Sequence, residues 1–184
     1  DDIDARMLKG GLPPFLLGDP SADDYQEWLD SYWAKDLQEL FLVEKRAAFF
    51  KLVELLFRQS GGQFEAQKLA GPCAISRQTV QNYLEILAYT LLVTILRPYA
   101  RGGATEIVSQ PKVYGFDTGF VCYMQQIEGL RDSDRGILLE HLTLNELLAN
   151  FSRSRIFYWR DKQGHEIDFV LTAARGAGVA AIEC

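Results

Sequence analysis

Residues 64–87 read Phe64-Glu65-Ala66-Gln67-Lys68-Leu69-Ala70-Gly71-Pro72-Cys73-Ala74-Ile75-Ser76-Arg77-Gln78-Thr79-Val80-Gln81-Asn82-Tyr83-Leu84-Glu85-Ile86-Leu87, and their cadence decides how the middle of the chain folds. Phe64–Ala70 reads as a short helix, Gly71–Ala74 as a turn, and Ile75–Leu87 as a second helix. Ser76 is its N-cap, because a Ser hydroxyl satisfies an orphan amide of the first turn. Apolar Leu69, Ile75, Val80, Leu84 and Leu87 hold the two helices together, and small Ala70 lets them cross closely. This is a helix-turn-helix pattern. Pro72 within the turn, and Ala74 where Gly often sits, predict a longer or distorted turn.

On the C-terminal side, Leu91–Pro98 and Thr105–Tyr114 are rich in β-branched and aromatic residues and read as two strands. Ala100-Arg101-Gly102-Gly103-Ala104 joins them as a hairpin with an exposed basic tip. Three helices followed by a hairpin make a winged helix. In that fold Arg77, Gln78, Thr79, Gln81 and Asn82 face a major groove, while Arg97, Arg101 and Lys112 approach phosphates. The same fold also serves as a protein-docking or spacer module, in which Arg77, Gln78 and Gln81 only solvate a helix. DNA and a partner protein both stay open as ligands.

On the N-terminal side, a helix over Glu44–Gln59 turns Phe49, Leu52, Val53 and Leu56 inward and stops at Ser60-Gly61-Gly62. An earlier helix, Ala22–Leu40, follows the capping stretch Asp19-Pro20-Ser21. Its Tyr25, Trp28, Leu29, Tyr32, Trp33 and Leu37 recur at helical spacing, as a packing face does. Gly10-Gly11-Leu12-Pro13-Pro14 is turn-rich.

Beyond the wing, Asp117 reads as the cap of a helix over Phe120–Gln126, 132–135 as a polar break, and 136–151 as a long helix with Glu140 and His141 near its start. Ile156–Trp159 is a strand and Asp161–Gly164 a tight turn. In the strand that follows, Glu166 and Asp168 share one face, and Ile167, Phe169 and Leu171 the other. A last apolar run, Val179–Ile182, leads to Glu183. A hairpin of these two strands sets Asp168 beside Glu183, and paired carboxylates on adjacent strands can hold Mg²⁺, which activates water for attack on a phosphodiester. Glu140 would be an additional ligand or would orient the water. The plainer reading makes the strand acids a solvated face and Glu140 a helix-dipole acid. The lysine that such a site commonly uses to balance phosphate charge would follow the second strand acid by two positions, past Cys184.

The bulk numbers bound these readings. At 184 residues, 48% hydrophobic and 24% charged, the composition is that of an ordinary globular chain. With 19 basic against 25 acidic residues the net charge is −6, so any nucleic-acid footprint has to be local. Cys73, Cys122 and Cys184 are far apart, and His141 and His165 are not at zinc-ligand spacing. This reads as a reducing compartment without a disulfide framework or structural zinc. No apolar run approaches a membrane span and no signal pattern opens the chain, so no membrane partner is expected and the cytoplasm is the expected location. Asp1-Asp2-Ile3-Asp4 lacks an initiator Met and the end falls in an apolar strand, so the chain reads as part of a longer protein.

At several places the sequence resembles the C-terminal region of bacterial and archaeal AAA-type ATPases that end in the domain of unknown function 4143. The pieces are Gly10-Gly11-Leu12-Pro13, Tyr32 to Leu40, Ser76 to Val80, Pro111-Lys112 with Asp117-Thr118-Gly119, Gly136 to Glu140, and Tyr158-Trp159-Arg160 running to Phe169. The resemblance implies an ATPase domain preceding this chain, then a winged helix, then a fold similar to the restriction-endonuclease nucleases, with Glu140, Asp168 and Glu183 at its acidic positions. No Gly-x-x-x-x-Gly-Lys-Ser/Thr occurs, so ATP is expected only in that preceding domain. The expected fold is α+β: an N-terminal helical segment (1–43), a winged helix-turn-helix (44–115) and a small restriction-endonuclease-like α/β domain (116–184), incomplete at its C-terminus. The leading functional expectation is an accessory region of an ATPase engaging DNA or a protein. The alternatives are a Mg²⁺-dependent endonuclease and a non-catalytic structural adaptor.

Overall fold

The computed structural model describes residues 2–37, 43, 45–100, 110–173 and 178–184. Among these the fold is mixed α+β, with eight helices and two small antiparallel sheets. No helix of the described residues is long and apolar enough to cross a membrane.

The helix-turn-helix forms where its cadence placed it: α4 (Arg46–Arg58), α5 (Ala66–Ala70) and α6 (Arg77–Tyr89). The Ser76 hydroxyl accepts from the Thr79 amide at 3.0 Å, closing the start of α6. The distortion expected of the turn is a left-handed Ala74 at φ 52, a conformation that costs a residue with a Cβ roughly 1 kcal/mol. The turn is held by the amides of Cys73, Ala74 and Ile75, which donate to the carbonyls of Leu69, Gly71 and Ala70 at 3.2, 3.0 and 3.1 Å. Val80, Leu84 and Leu87 are buried beneath α6.

Strand β1 (Val93–Leu96) pairs with β2 (Lys112–Gly115) in the register Val93↔Gly115 to Leu96↔Lys112. Part of the expected 105–114 strand, together with Arg101 and the basic tip, lies outside the described residues. All four residues of β2 are buried. Alternation along the hairpin explains this: Val93 and Val113 enter one core, Leu96 and Tyr114 another. The wing is therefore a wall between two cores, with no face left to solvent along β2.

The first core gathers α1 (Asp2–Lys9), α2 (Pro13–Leu17), α3 (Ala22–Tyr32), α4 to α6 and α7 (Thr118–Gln125). The expected 22–40 helix ends as an α-helix at Tyr32 and continues as a π-turn over Trp33–Leu37; residues 38–42 are outside the described set. Its aromatics pack as expected. Tyr25 meets Phe120 edge-on at 4.9 Å, Trp28 stacks on Phe116 at 5.2 Å, and Trp33 meets Phe49 at 5.5 Å.

Asp117 ties the chain's start to α7. Its Oδ1 caps the helix by accepting from the amides of Gly119 and Phe120 at 2.9 and 3.4 Å, and its Oδ2 accepts from the Gly11 amide at 2.7 Å. A Cβ on Gly119 would lie 2.4 Å from the Lys9 carbonyl oxygen, so only glycine admits this approach. Helix α7 thus packs in the first core, on the far side of the boundary expected at residue 116.

The second core lies between α8 (Asp132–Asn150) and the antiparallel sheet β3 (Ile156–Arg160), β4 (Glu166–Thr172) and β5 (Val179–Ile182). The expected polar break at 132–135 is instead the first turn of α8, where Asp132 and Asp134 favour the positive helix end. That start sets Glu140 more than two turns inside the helix and removes the helix-dipole reading. The two parts are joined by backbone: the Tyr158 amide donates to the Arg97 carbonyl at 3.1 Å, and Tyr99 donates to the Tyr158 carbonyl at 2.6 Å.

Candidate functional site

Two groups of charged residues stand out, one buried and one exposed. The buried one begins at Lys112. The sequence placed this residue on a phosphate-facing wing, but the second core covers that face and the residue is only 4% exposed. Its Nζ pairs with Glu140 Oε1 at 3.0 Å and with Glu166 Oε1. It also lies over the ring of Tyr158, 5.6 Å from the centroid. Tyr114, two residues along β2 and so on the same face, donates its hydroxyl to the same Glu140 oxygen. Burial works against the charge of Lys112, but its bonds to Glu166 and Glu140 outweigh that and raise its pKa above the ordinary value. Burial, and then the Glu140 charge, push the Tyr114 hydroxyl well up, so it stays a donor.

The acids singled out in the sequence are neighbours of this pair. Pairing of Phe169 with Ile182 sets Asp168 beside Glu183 at the end of the β4–β5 ladder. Burial and then the Asp168 charge raise the Glu183 carboxyl above its usual range. Asp168 Oδ2 accepts from the Cys184 amide at 2.9 Å, and Cys184 Sγ lies 3.3 Å from Thr143 Oγ1 on α8, one turn from Glu140. Glu140 spends its Oε1 on Lys112 and Tyr114. Among the described residues no three His, Cys, Asp or Glu side chains are grouped so as to hold a metal ion. The arrangement is a carboxylate cluster neutralised by a lysine from the wing.

The exposed group comprises the nucleic-acid residues expected on α6 and the wing. Arg77, Gln78, Gln81, Asn82 and Arg97 line one groove of about 800 Å³. Gln78 Nε2 donates to Asn82 Oδ1 at 2.9 Å, and Thr79 is occupied in the helix cap with Ser76. Arg97 also lines a second groove, of about 640 Å³, with Arg153 from the 3₁₀ turn ahead of β3. The other described arginines are engaged. Arg6, Arg46, Arg58, Arg131, Arg135 and Arg160 form ion pairs, and Arg155 donates to the Thr172 carbonyl at 2.7 Å. Arg77, Arg97 and Arg153 have no ion pair or hydrogen bond from their side chains among the described residues.

Sequence reasoning missed Glu166 and Tyr114 as partners of Lys112, and it missed Arg153 altogether. The spacing of Lys112 and Tyr114, two apart on one strand face, was the available signal for the first. Nothing local marks Arg153, which gains its meaning from a neighbour 56 residues earlier in the chain.

A family model, the domain of unknown function DUF8612, matches residues 1–131. The chain belongs to the DUF8612 family. A second model, the domain of unknown function DUF4143, matches residues 135–184. In this DUF8612 protein the match to the domain of unknown function 4143 covers most of α8 and the terminal sheet. The division at 131–135 falls after α7, in keeping with the packing of that helix in the first core. Lys112 and Tyr114 come from the DUF8612 part; Glu140, Glu166, Asp168 and Glu183 come from the other. Uncharacterized proteins of Mycobacterium bovis and Mycobacterium tuberculosis are each 28% identical over 173 residues, covering 90% of this chain and 39% of their own length. One from Methanocaldococcus jannaschii is 23% identical over 171 residues, covering 88% of this chain and 37% of its own. The chain therefore spans well under half the length of these relatives. No solved structure matches it.

Proposed function

We propose that this chain is an accessory region of a larger ATP-driven protein, and that its part there is to grip nucleic acid through the arginine-bearing face of α6 and the wing. The first half of the reading is supported by the much greater length of the relatives and by the DUF4143 match, since that domain is associated with AAA-type ATPases. The chain itself carries no phosphate-binding Gly-x-x-x-x-Gly-Lys-Ser/Thr loop, so the ATP-driven step belongs to another part of the parent protein.

The second half is carried by one observation. Arg77 and Arg97 form no ion pair among the described residues and line a single groove, beside the amide side chains of Gln78, Gln81 and Asn82 and with Glu65 and Glu85 at its walls. In a chain of net charge −6 most arginines find a carboxylate, so guanidinium groups left without one on a helix-turn-helix are suited to an external anion. Planar guanidinium forks match phosphate oxygens, and the amides can reach base edges.

The test is fluorescence anisotropy with a labelled blunt duplex, comparing wild type with the double variant Arg77→Ala, Arg97→Ala. Wild type is expected to bind and the double variant to lose at least about 10-fold in affinity, with both proteins melting at the same temperature. Equal affinity in the two proteins, or no binding by wild type at low salt, overturns the reading.

A further inference from the structure

We infer that the groove between the wing and the terminal sheet takes an unpaired nucleic-acid strand, continuing the path begun on α6. The inference rests on the nucleic-acid reading above and adds a second, chemically different contact. Three observations carry it.

Backbone bonds between Arg97 and Tyr158 bring the end of the wing against β3, and this sets Arg97 beside Arg153 in the same groove. Two like charges are thus kept together, and burial and Arg97 both work against the charge of Arg153. Glu85, which also lines the groove, supports that charge, but one carboxylate against two guanidinium groups leaves a net positive charge. An anion with more than one oxygen relieves this arrangement.

The groove also presents aromatic surface. Tyr89, at the end of α6, is 78% exposed, and Phe157 on β3 lines the same groove with Tyr99 edge-on to it at 6.0 Å. Arginines interleaved with one exposed ring and one half-buried ring suit a strand whose bases are free to stack, because each base has a π-face and a duplex hides those faces. The α6 groove offers amides and arginines in place of exposed rings, the chemistry of duplex contact. The two grooves share Glu85, Ile95 and Arg97, so one molecule with a duplex part and a single-stranded part can occupy both.

Finally, the pair is assembled across the family division. Arg97 lies in the DUF8612 part and Arg153 in the DUF4143 part, so this groove exists only where the two are joined.

The experiment compares labelled blunt duplex, the same duplex with a 10-nucleotide overhang, and the overhang strand alone, each with the full chain. Wild type should bind the overhang substrate about 10-fold more tightly than the blunt duplex, since each stacked base contributes about 5-fold or more. Arg153→Ala and Tyr89→Ala should each remove most of that advantage and leave blunt-duplex affinity unchanged. Both residues are exposed, so unaltered melting temperatures separate a weakened grip on the strand from a damaged fold. If wild type binds blunt and overhang substrates equally, or the two variants keep the advantage, this inference fails and the duplex reading survives. If no substrate binds at all, the nucleic-acid reading fails and this one with it.

Discussion

Lys112 and the trio Arg77, Arg97 and Arg153 are cations of one chain with opposite surroundings. Lys112 is buried between two carboxylates, beside a tyrosine hydroxyl that shares Glu140 with it. The arginines are exposed and form no ion pair among the described residues. A buried cation must be answered inside the fold, since its desolvation costs several kcal/mol. An exposed one has no such requirement, and its charge stays available to a ligand. The sequence put Lys112, Arg77 and Arg97 in one class; burial divides them into a structural clamp and a binding face.

The largest effect is expected at the clamp. Lys112→Met leaves Glu140 and Glu166 facing one another in the seam, and should lower unfolding free energy by about 3–5 kcal/mol in urea titration. Adding Glu140→Gln and Glu166→Gln to that variant should restore much of the loss, because the uncompensated charges are then gone. Arg77→Ala, Arg97→Ala and Arg153→Ala should each stay within about 0.5 kcal/mol of wild type. A large loss at any of the three would break the distinction.

Next in size is a pH effect beside the clamp. His141 is 1% exposed, with its Nε2 unpartnered among the described residues and its ring edge-on to Tyr114 at 5.2 Å. Burial depresses its pKa from 6.5 to about 4, although a hydrogen bond to the Gly115 backbone opposes this. The neutral ring is therefore the folded form. Its contribution is fully present above pH 6.5 and is lost as pH falls toward 4, by on the order of 3 kcal/mol. Between pH 7 and pH 4.5 the urea midpoint of His141→Leu should therefore fall less steeply than that of wild type.

Asp117→Ala comes third. It removes a helix cap and leaves the Gly11 amide without its acceptor, and should cost about 2 kcal/mol by thermal melting. Ser76→Ala, which removes only the cap of α6, should cost about 1 kcal/mol. It also sharpens the comparison: nucleic-acid affinity measured below its melting point should stay near that of wild type, since the cap positions Arg77 but does not contact the ligand.

Much of this architecture was legible in the residues. The helix-turn-helix, the Asp117 cap, the aromatic face of α3 and the adjacency of Asp168 and Glu183 all follow from spacings of two, three or four, which local geometry reads directly. What failed was long-range. Thr94, Lys112 and Tyr114 alternate with apolar neighbours as a solvated wing would, and only the packing of α8 and β4 onto that face decides that it is buried. Glu140 was expected near a helix start because Gly136 looked like an opening, whereas Asp132 and Asp134 stabilise a helix beginning a turn earlier. The Arg97–Arg153 pair has no sequence signature, since it is made by a backbone bond between the wing and β3.

The most direct test of the exposed-arginine account is the salt dependence of duplex affinity, log K against log salt from about 50 to 300 mM, in wild type and in Arg77→Ala, Arg97→Ala. Removing two phosphate-binding guanidinium groups should make the slope shallower by about 1.8, because each neutralised phosphate contributes about 0.9. An unchanged slope, with affinity lowered or not, would contradict the assignment of these arginines to phosphate.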